Sequence, residues 1–252
     1  MTSMGTPPSI DGTGRRRAKR LAWARVIWVC ILVFGSIRFP FSVTPSAHAQ
    51  QSSASGADVE LHLDFESSSD NRLPPNVSVG LTGKGKPVHW TILDDPSAPA
   101  GKKILAEVSG DSTDSRFPLA IIDGPIASNV DVSVKFKPVM GRVDRAAGIA
   151  VRLSDPDNYY VARANALENN VRFYRVVNGR RHQIAGADIP VPSGQWQELR
   201  VRIEGSRIDV FLNGAVQIRA EDTTFSGAGK VGLWTKADSV TYFDDLVVKV
   251  LP

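Results

Sequence analysis

Cysteine occurs once in the 252 residues, at Cys30, and none follows it. Beyond residue 30 the chain therefore has no disulfide, no thiolate zinc site and no cysteine nucleophile. Histidine is scarce too: His62, His89 and His182 stand singly after His48. Neither His-Glu-x-x-His nor Gly-x-Ser-x-Gly occurs, so zinc-protease and nucleophile-elbow chemistry lack their motifs. Gly80-Leu-Thr-Gly-Lys-Gly-Lys86 nearly spells a phosphate loop, but Pro87 replaces the metal-binding hydroxyl and a strand pattern follows.

Long apolar runs are missing too, since none reaches the ~20 residues of a membrane-spanning helix. The uncharged run Val26 to Ile37 is shorter, and Arg15, Arg16, Arg17, Lys19, Arg20 and Arg25 precede it. With the small-x-small sequence Ala47-His48-Ala49, this reads as a signal peptide over residues 1–49, an uncleaved membrane anchor being the alternative. The expected location is outside the cell, in the periplasm or at the cell surface. The small polar stretch 50–57 reads as a flexible leader, and residues 58–252 as one domain. Without residues 1–49 the chain carries 23 Lys/Arg against 25 Asp/Glu, a formal charge of −2. The basic excess belongs to the leader, and no argument for nucleic acid survives.

What is present is alternation. Val59–Phe65, Val130–Phe136, Leu199–Ile203, Ile208–Leu212 and Val240–Phe243 all switch between apolar and polar residues, the signature of half-buried strands. Asn178-Gly179 and Asn213-Gly214 lie between strand patterns, where the positive φ of a two-residue hairpin is needed. No apolar period of 3.6 persists for ten residues after residue 58. The expectation is an all-β antiparallel sandwich of two sheets with twelve to fifteen strands, too many for one open twisted sheet.

Polar residues are concentrated in two of these stretches. Strand parity between Tyr159 and Tyr174 sets Tyr160, Ala162, Ala164, Val171 and Phe173 toward the core. Arg163, Asn165, Asn170, Arg172 and Tyr174 then share the opposite face. Forked donors and amides suit vicinal hydroxyls, and an aromatic ring suits a pyranose face, so the chemistry points to a saccharide. Trp234 and Lys236 share parity and join this set, although Gly229 and Gly232 mark a bulge that leaves the facing of Trp234 open. Trp90 and Trp196 are read as structural.

Asp155-Pro-Asp-Asn-Tyr-Tyr160, Leu167–Tyr174, Gly194–Val201 and Gly229–Asp245 resemble a concanavalin A-like lectin/glucanase domain. Within that superfamily they are most similar to the laminin-G-like and keto-disaccharide-hydrolase-like domains of exported bacterial proteins. The resemblance covers about residues 60–250. It implies a jelly roll whose concave sheet binds poly- or oligosaccharide, in a superfamily that mixes binding modules, structural domains and hydrolases. It also implies a structural calcium, for which Asp64, Glu66 and Asp245 are the candidate carboxylates. The Glu-x-Asp-x-x-Glu strand of the family-sixteen glucanases is absent, so their catalytic pair cannot be carried over. Glu168, Asp238 and Asp244 are the remaining acids to weigh as catalytic. The expected function is carbohydrate binding; a glycoside hydrolase or lyase acting on oxidised disaccharides, or a non-catalytic structural or protein-interaction domain, are the rival readings.

Overall fold

A computed structural model describes residues 60–252 of the protein; the segments read as signal peptide and leader lie outside the described residues, as does Val59. All regular structure among the described residues is β, in fifteen strands. The first sheet runs β13 (Ala215–Glu221), β12 (Arg207–Leu212), β11 (Gln197–Glu204), β6 (Val130–Met140), β15 (Val240–Val250), β4 (Lys103–Glu107) and β3 (Trp90–Asp94), with β1 (Glu60–Leu63) added to β15. The second runs β10 (Arg180–Asp188), β9 (Asn170–Val177), β8 (Asn158–Asn165), β7 (Ala146–Asp155), β14 (Gly229–Trp234), β5 (Arg116–Ala127) and β2 (Val77–Gly83). Every pairing is antiparallel. The result is an all-β sandwich of two sheets.

Both Asn-Gly pairs close two-residue hairpins, Asn178 and Asn213 at φ 49° and 50° and the following glycines at 72° and 79°. These left-handed values match the twist of the flanking strands. The core between the sheets takes Val132, Val134, Phe136, Leu199, Val201 and Phe243 from the first and Ile149, Val151, Ala162, Phe173 and Leu233 from the second.

The two sheets differ on their outer sides. In the first, β11 and β12 alternate buried with half-exposed residues, as a sheet with one wet face should. In the second, β7 is buried continuously from Ala146 to Leu153 and β8 from Tyr159 to Asn165. The reason is a second, separate apolar cluster on the outer face of this sheet, including Phe117, Leu119, Ile121, Tyr159, Val161, Tyr174 and Trp234.

Two buried arginines fasten the ends of the sandwich. Arg116 on β5 pairs with Glu107 on β4 at 3.2 Å, joining the sheets, and both side chains are fully buried. Its other N–H groups donate to the carbonyls of Lys86, Pro87 and Ala237. Arg152 on β7, at a left-handed φ of 49°, donates to the carbonyls of Ser128, Phe225 and Gly205, each in a different loop.

Candidate functional site

The register of the second sheet assembles the site. Leu119, Trp234, Gly148, Arg163, Arg172 and Gly186 are successive cross-strand partners, so they form one row over six strands. Val161, Tyr174 and Gln183 form the next, and Tyr159, Val176 and Arg181 follow the same pattern. Alternation along each strand sets these rows on the outer face, opposite Ala162 and Phe173. Asn165 and Asn170 are paired at the end of the same face.

Two glycines shape this floor. A Cβ at Gly148 would sit 3.1 Å from Trp234 Cε3 and 3.0 Å from the Ala162 carbonyl, and one at Gly186 would overlap Arg172 Cδ. Their bare backbones give the indole and the guanidinium stem room to lie against the sheet.

Trp234 stacks on Phe117 at 5.5 Å between ring centroids. Its indole N–H donates to the Tyr159 hydroxyl at 3.1 Å, and that hydroxyl lies 2.8 Å from Thr82 Oγ1, which donates onward to the Pro156 carbonyl. Burial pushes the Tyr159 phenol up to about 12, against the opposing effect of these hydrogen bonds. The Arg181 guanidinium lies over three rings at once, 4.4 Å from the centroid of Tyr174, 4.9 Å from Phe117 and 5.8 Å from Trp234. Burial lowers its pKa, and among the described residues its buried Nη1 has no hydrogen-bond partner.

Beside this aromatic floor is a polar rim. Arg163 donates from Nη2 to Glu168 at 2.7 Å and to Asn170 Oδ1 at 2.6 Å, and its guanidinium carbon is 5.6 Å from the Tyr174 centroid. Asn165 donates to Asp144 at 2.9 Å. Lys236 Nζ lies 2.9 Å from Asp144 Oδ2 and also meets Asp114. Burial raises the Asp144 carboxyl, opposed by the Lys236 ammonium. Burial by itself would lower Lys236, but Asp114 and Asp144 outweigh it and raise the ammonium. Arg172 pairs with Asp188.

Arg163, Asn165, Asn170, Arg172, Tyr174, Trp234 and Lys236 are thus brought to one region. Their environment differs from the solvated face that parity suggests, because Trp234 is 0% and Arg163 2% exposed and the polar groups largely satisfy one another. Sequence reasoning did not find Arg181, Phe117 or Asp144. The Asn178-Gly179 hairpin carried a usable signal for Arg181, since a two-residue turn fixes Val176 opposite Arg181. Phe117 gave none, because its strand meets Trp234's only through a long-range pairing.

No family model matches the chain. A levanase of Bacillus subtilis (strain 168) is 33% identical over 91 residues, which make up 35% of this chain and 13% of that protein. The carbohydrate binding module CBM66 from Bacillus subtilis superposes with a TM-score of 0.54 at 20% identity, over 68% of this chain and 94% of the module. A Bacillus licheniformis β-glucanase gives 0.50 at 10% identity, over 77% and 98%. The fold is the concanavalin A-like jelly roll.

In this concanavalin A-like sandwich the three acids weighed as catalytic are each held by partners of their own. Glu168 is held by Arg163 and Asn170, which draw its carboxyl below the usual range although burial pulls the other way. Asp238 accepts the backbone N–H groups of Arg142, Val143 and Asp144, and so fixes the turn before β7. Those bonds lower its pKa against burial. Asp244 belongs to the other sheet.

The three carboxylates read as calcium candidates each have other partners. Among the described residues no three His, Asp or Glu side chains are placed to share a cation. Asp64 accepts the Glu66 N–H, and Glu66 accepts those of Lys102 and Lys103. Asp245, at a left-handed φ of 52° in a bulge of β15, meets His62 at 2.6 Å instead.

Asp244 makes a pH prediction. It is fully buried and accepts the N–H groups of Ala100 and Asp245. Burial, helped by the charges of Asp245 and Glu66, raises its carboxyl from 3.8 to about 6. The folded state then holds a proton that the unfolded chain releases, so this group's contribution falls as pH rises through the interval from 3.8 to about 6 and is flat above. The loss is on the order of 2–3 kcal/mol. Asp244→Asn should flatten that part of the calorimetric Tm-against-pH curve; an unaltered slope would assign it to another group.

Proposed function

We propose that the protein is an exported carbohydrate-binding domain that holds a poly- or oligosaccharide on the outer face of its second sheet, at the cell envelope or outside the cell. The observation that carries this reading is the aromatic floor of Phe117, Tyr174 and Trp234 beside the donors of Arg163, Asn170 and Arg172. Sugar rings stack on aromatic faces through their C–H groups while guanidinium and amide donors take the hydroxyls. The jelly roll shared with a carbohydrate binding module and a β-glucanase, and the partial match to a levanase, support the same reading. Export follows the reading of residues 1–49.

The Arg181 guanidinium occupies the place above Tyr174 that a sugar ring would take. Binding then exchanges a desolvated cation, which regains water as it swings out, for the ring of the ligand. Tyr174→Ala should lower affinity at least tenfold for whichever ligand a glycan array of the 50–252 domain selects. Arg181→Ala, which removes the competitor, should strengthen binding severalfold by calorimetry. An array with no saccharide bound would remove the function; weaker binding in Arg181→Ala would remove the displacement.

A further inference from the structure

The first sheet carries a second aromatic platform, on its own outer side. Trp196 precedes β11 and is held from two directions: its indole N–H donates to Ser97 Oγ at 3.1 Å, and the Lys137 ammonium sits 5.8 Å from its ring centroid. Lys137 is itself anchored by Asp95 at 2.8 Å and Ser97 at 2.9 Å, and it faces the Tyr242 ring at 5.7 Å. The indole is therefore fixed without being buried in the core.

Trp196 forms a wall of a surface cavity of about 540 Å³, which Pro99, Lys135, Gln197, Glu198 and Asn213 also line. The groups there have unused hydrogen-bonding capacity among the described residues. Asn213 accepts the Glu198 N–H at 2.8 Å through Oδ1, leaving its amide N–H groups without a partner. Gln197, 6% exposed and of the core-facing parity of Leu199, donates to the Pro192 carbonyl.

Charge narrows the ligand. Glu198 and Lys135 are direct cross-strand partners and pair at 2.7 Å, so the cavity offers charged oxygens and an ammonium with no net excess of either sign. A uronate or a phosphate would find its attraction to Lys135 offset by Glu198. A neutral ring with hydroxyls on its rim and C–H groups on its face fits the combination of indole, amide and balanced pair.

We propose that Trp196, Glu198 and Asn213 form a second, neutral-saccharide subsite on the first sheet, separate from the Tyr174 face. This subsite does not depend on the Tyr174 face binding anything. A chain with two such faces engages a polymer at two points, which raises avidity on a polysaccharide without new contacts.

The test is titration of the 50–252 domain with a levan-derived trisaccharide, arabinotriose and a mixed-linkage β-glucan tetrasaccharide, each to 20 mM. The indole N–H and Asn213 amide signals are followed by NMR, with the Trp196 resonance assigned through W196F. At least one probe should shift both signals saturably. W196A should weaken that response at least tenfold while Tm stays near that of the parent, W196F should retain part of it, and Y174A should leave it intact. No shift with any probe, or equal binding by W196A, overturns the subsite. Shifts abolished by Y174A but not by W196A would also overturn it, and would leave the Tyr174 face standing.

Discussion

Arg116→Ala should lower stability by about 3–5 kcal/mol, the usual effect of stranding one member of a buried ion pair. Glu107 would remain fully buried, with the His89 N–H at 3.1 Å as its main remaining donor. The carbonyls of Lys86, Pro87 and Ala237 would lose their donor in the same step. For a domain of this size each kcal/mol moves Tm by roughly 2–4 °C, so a fall of about 10 °C is expected by calorimetry. The double replacement Arg116→Met with Glu107→Leu should recover much of the loss, because it removes both charges together. A double mutant no more stable than Arg116→Ala would show that the three carbonyls, and not the ion pair, dominate.

Arg152→Leu is the second large effect, at about 3 kcal/mol or more. No carboxylate pairs with Arg152 among the described residues; its three bonds run to backbone carbonyls of Ser128, Gly205 and Phe225, at 2.7, 2.7 and 2.5 Å. Leucine fills similar volume but satisfies none of them; a hydrogen bond from a charged donor contributes about 1.5–3 kcal/mol, less at the exposed Gly205, whose carbonyl water can reach. Leucine would also inherit the left-handed backbone, where a side chain without local polar contacts is strained. Arg152→Gly separates the two terms: it relieves the backbone but loses the bonds. Urea denaturation should place both variants well below the parent, with Gly the less damaged if strain contributes and Leu the less damaged if side-chain volume matters more.

The strands read from strict alternation, beginning at residues 59, 130, 199, 208 and 240, all belong to the first sheet. The reason is physical: β6, β11, β12 and β15 have a wet outer face, and there period two survives in composition. On the second sheet, Arg116–Ile122 and Ala146–Val151 are buried on both sides and read as continuous apolar runs. β8 and β9 were legible because Arg163, Asn165, Asn170 and Arg172 keep polar types on the outer face even though most of that face is closed to water. Parity could place these residues together, but it could not count the neighbours that bury them. Phe117, Trp234 and Tyr159 converge through pairings separated by more than a hundred residues in the case of β5 and β14, which no local pattern encodes. A bulge in β15 likewise redirects Asp245 in a way that spacing along the chain does not reveal.

The bare positions 148 and 186 make volume a property shared between adjacent strands. A methyl group at 148 can be accommodated only where residue 234 shrinks or tilts and the β8 backbone yields, because the Ala162 carbonyl lies at 3.0 Å. At 186 the obstacle is a long flexible stem, which can move aside. Drift at 148 should therefore proceed in concert with 234, while 186 can wander alone, so related sequences with a smaller residue at 234 are the place to look for a side chain at 148.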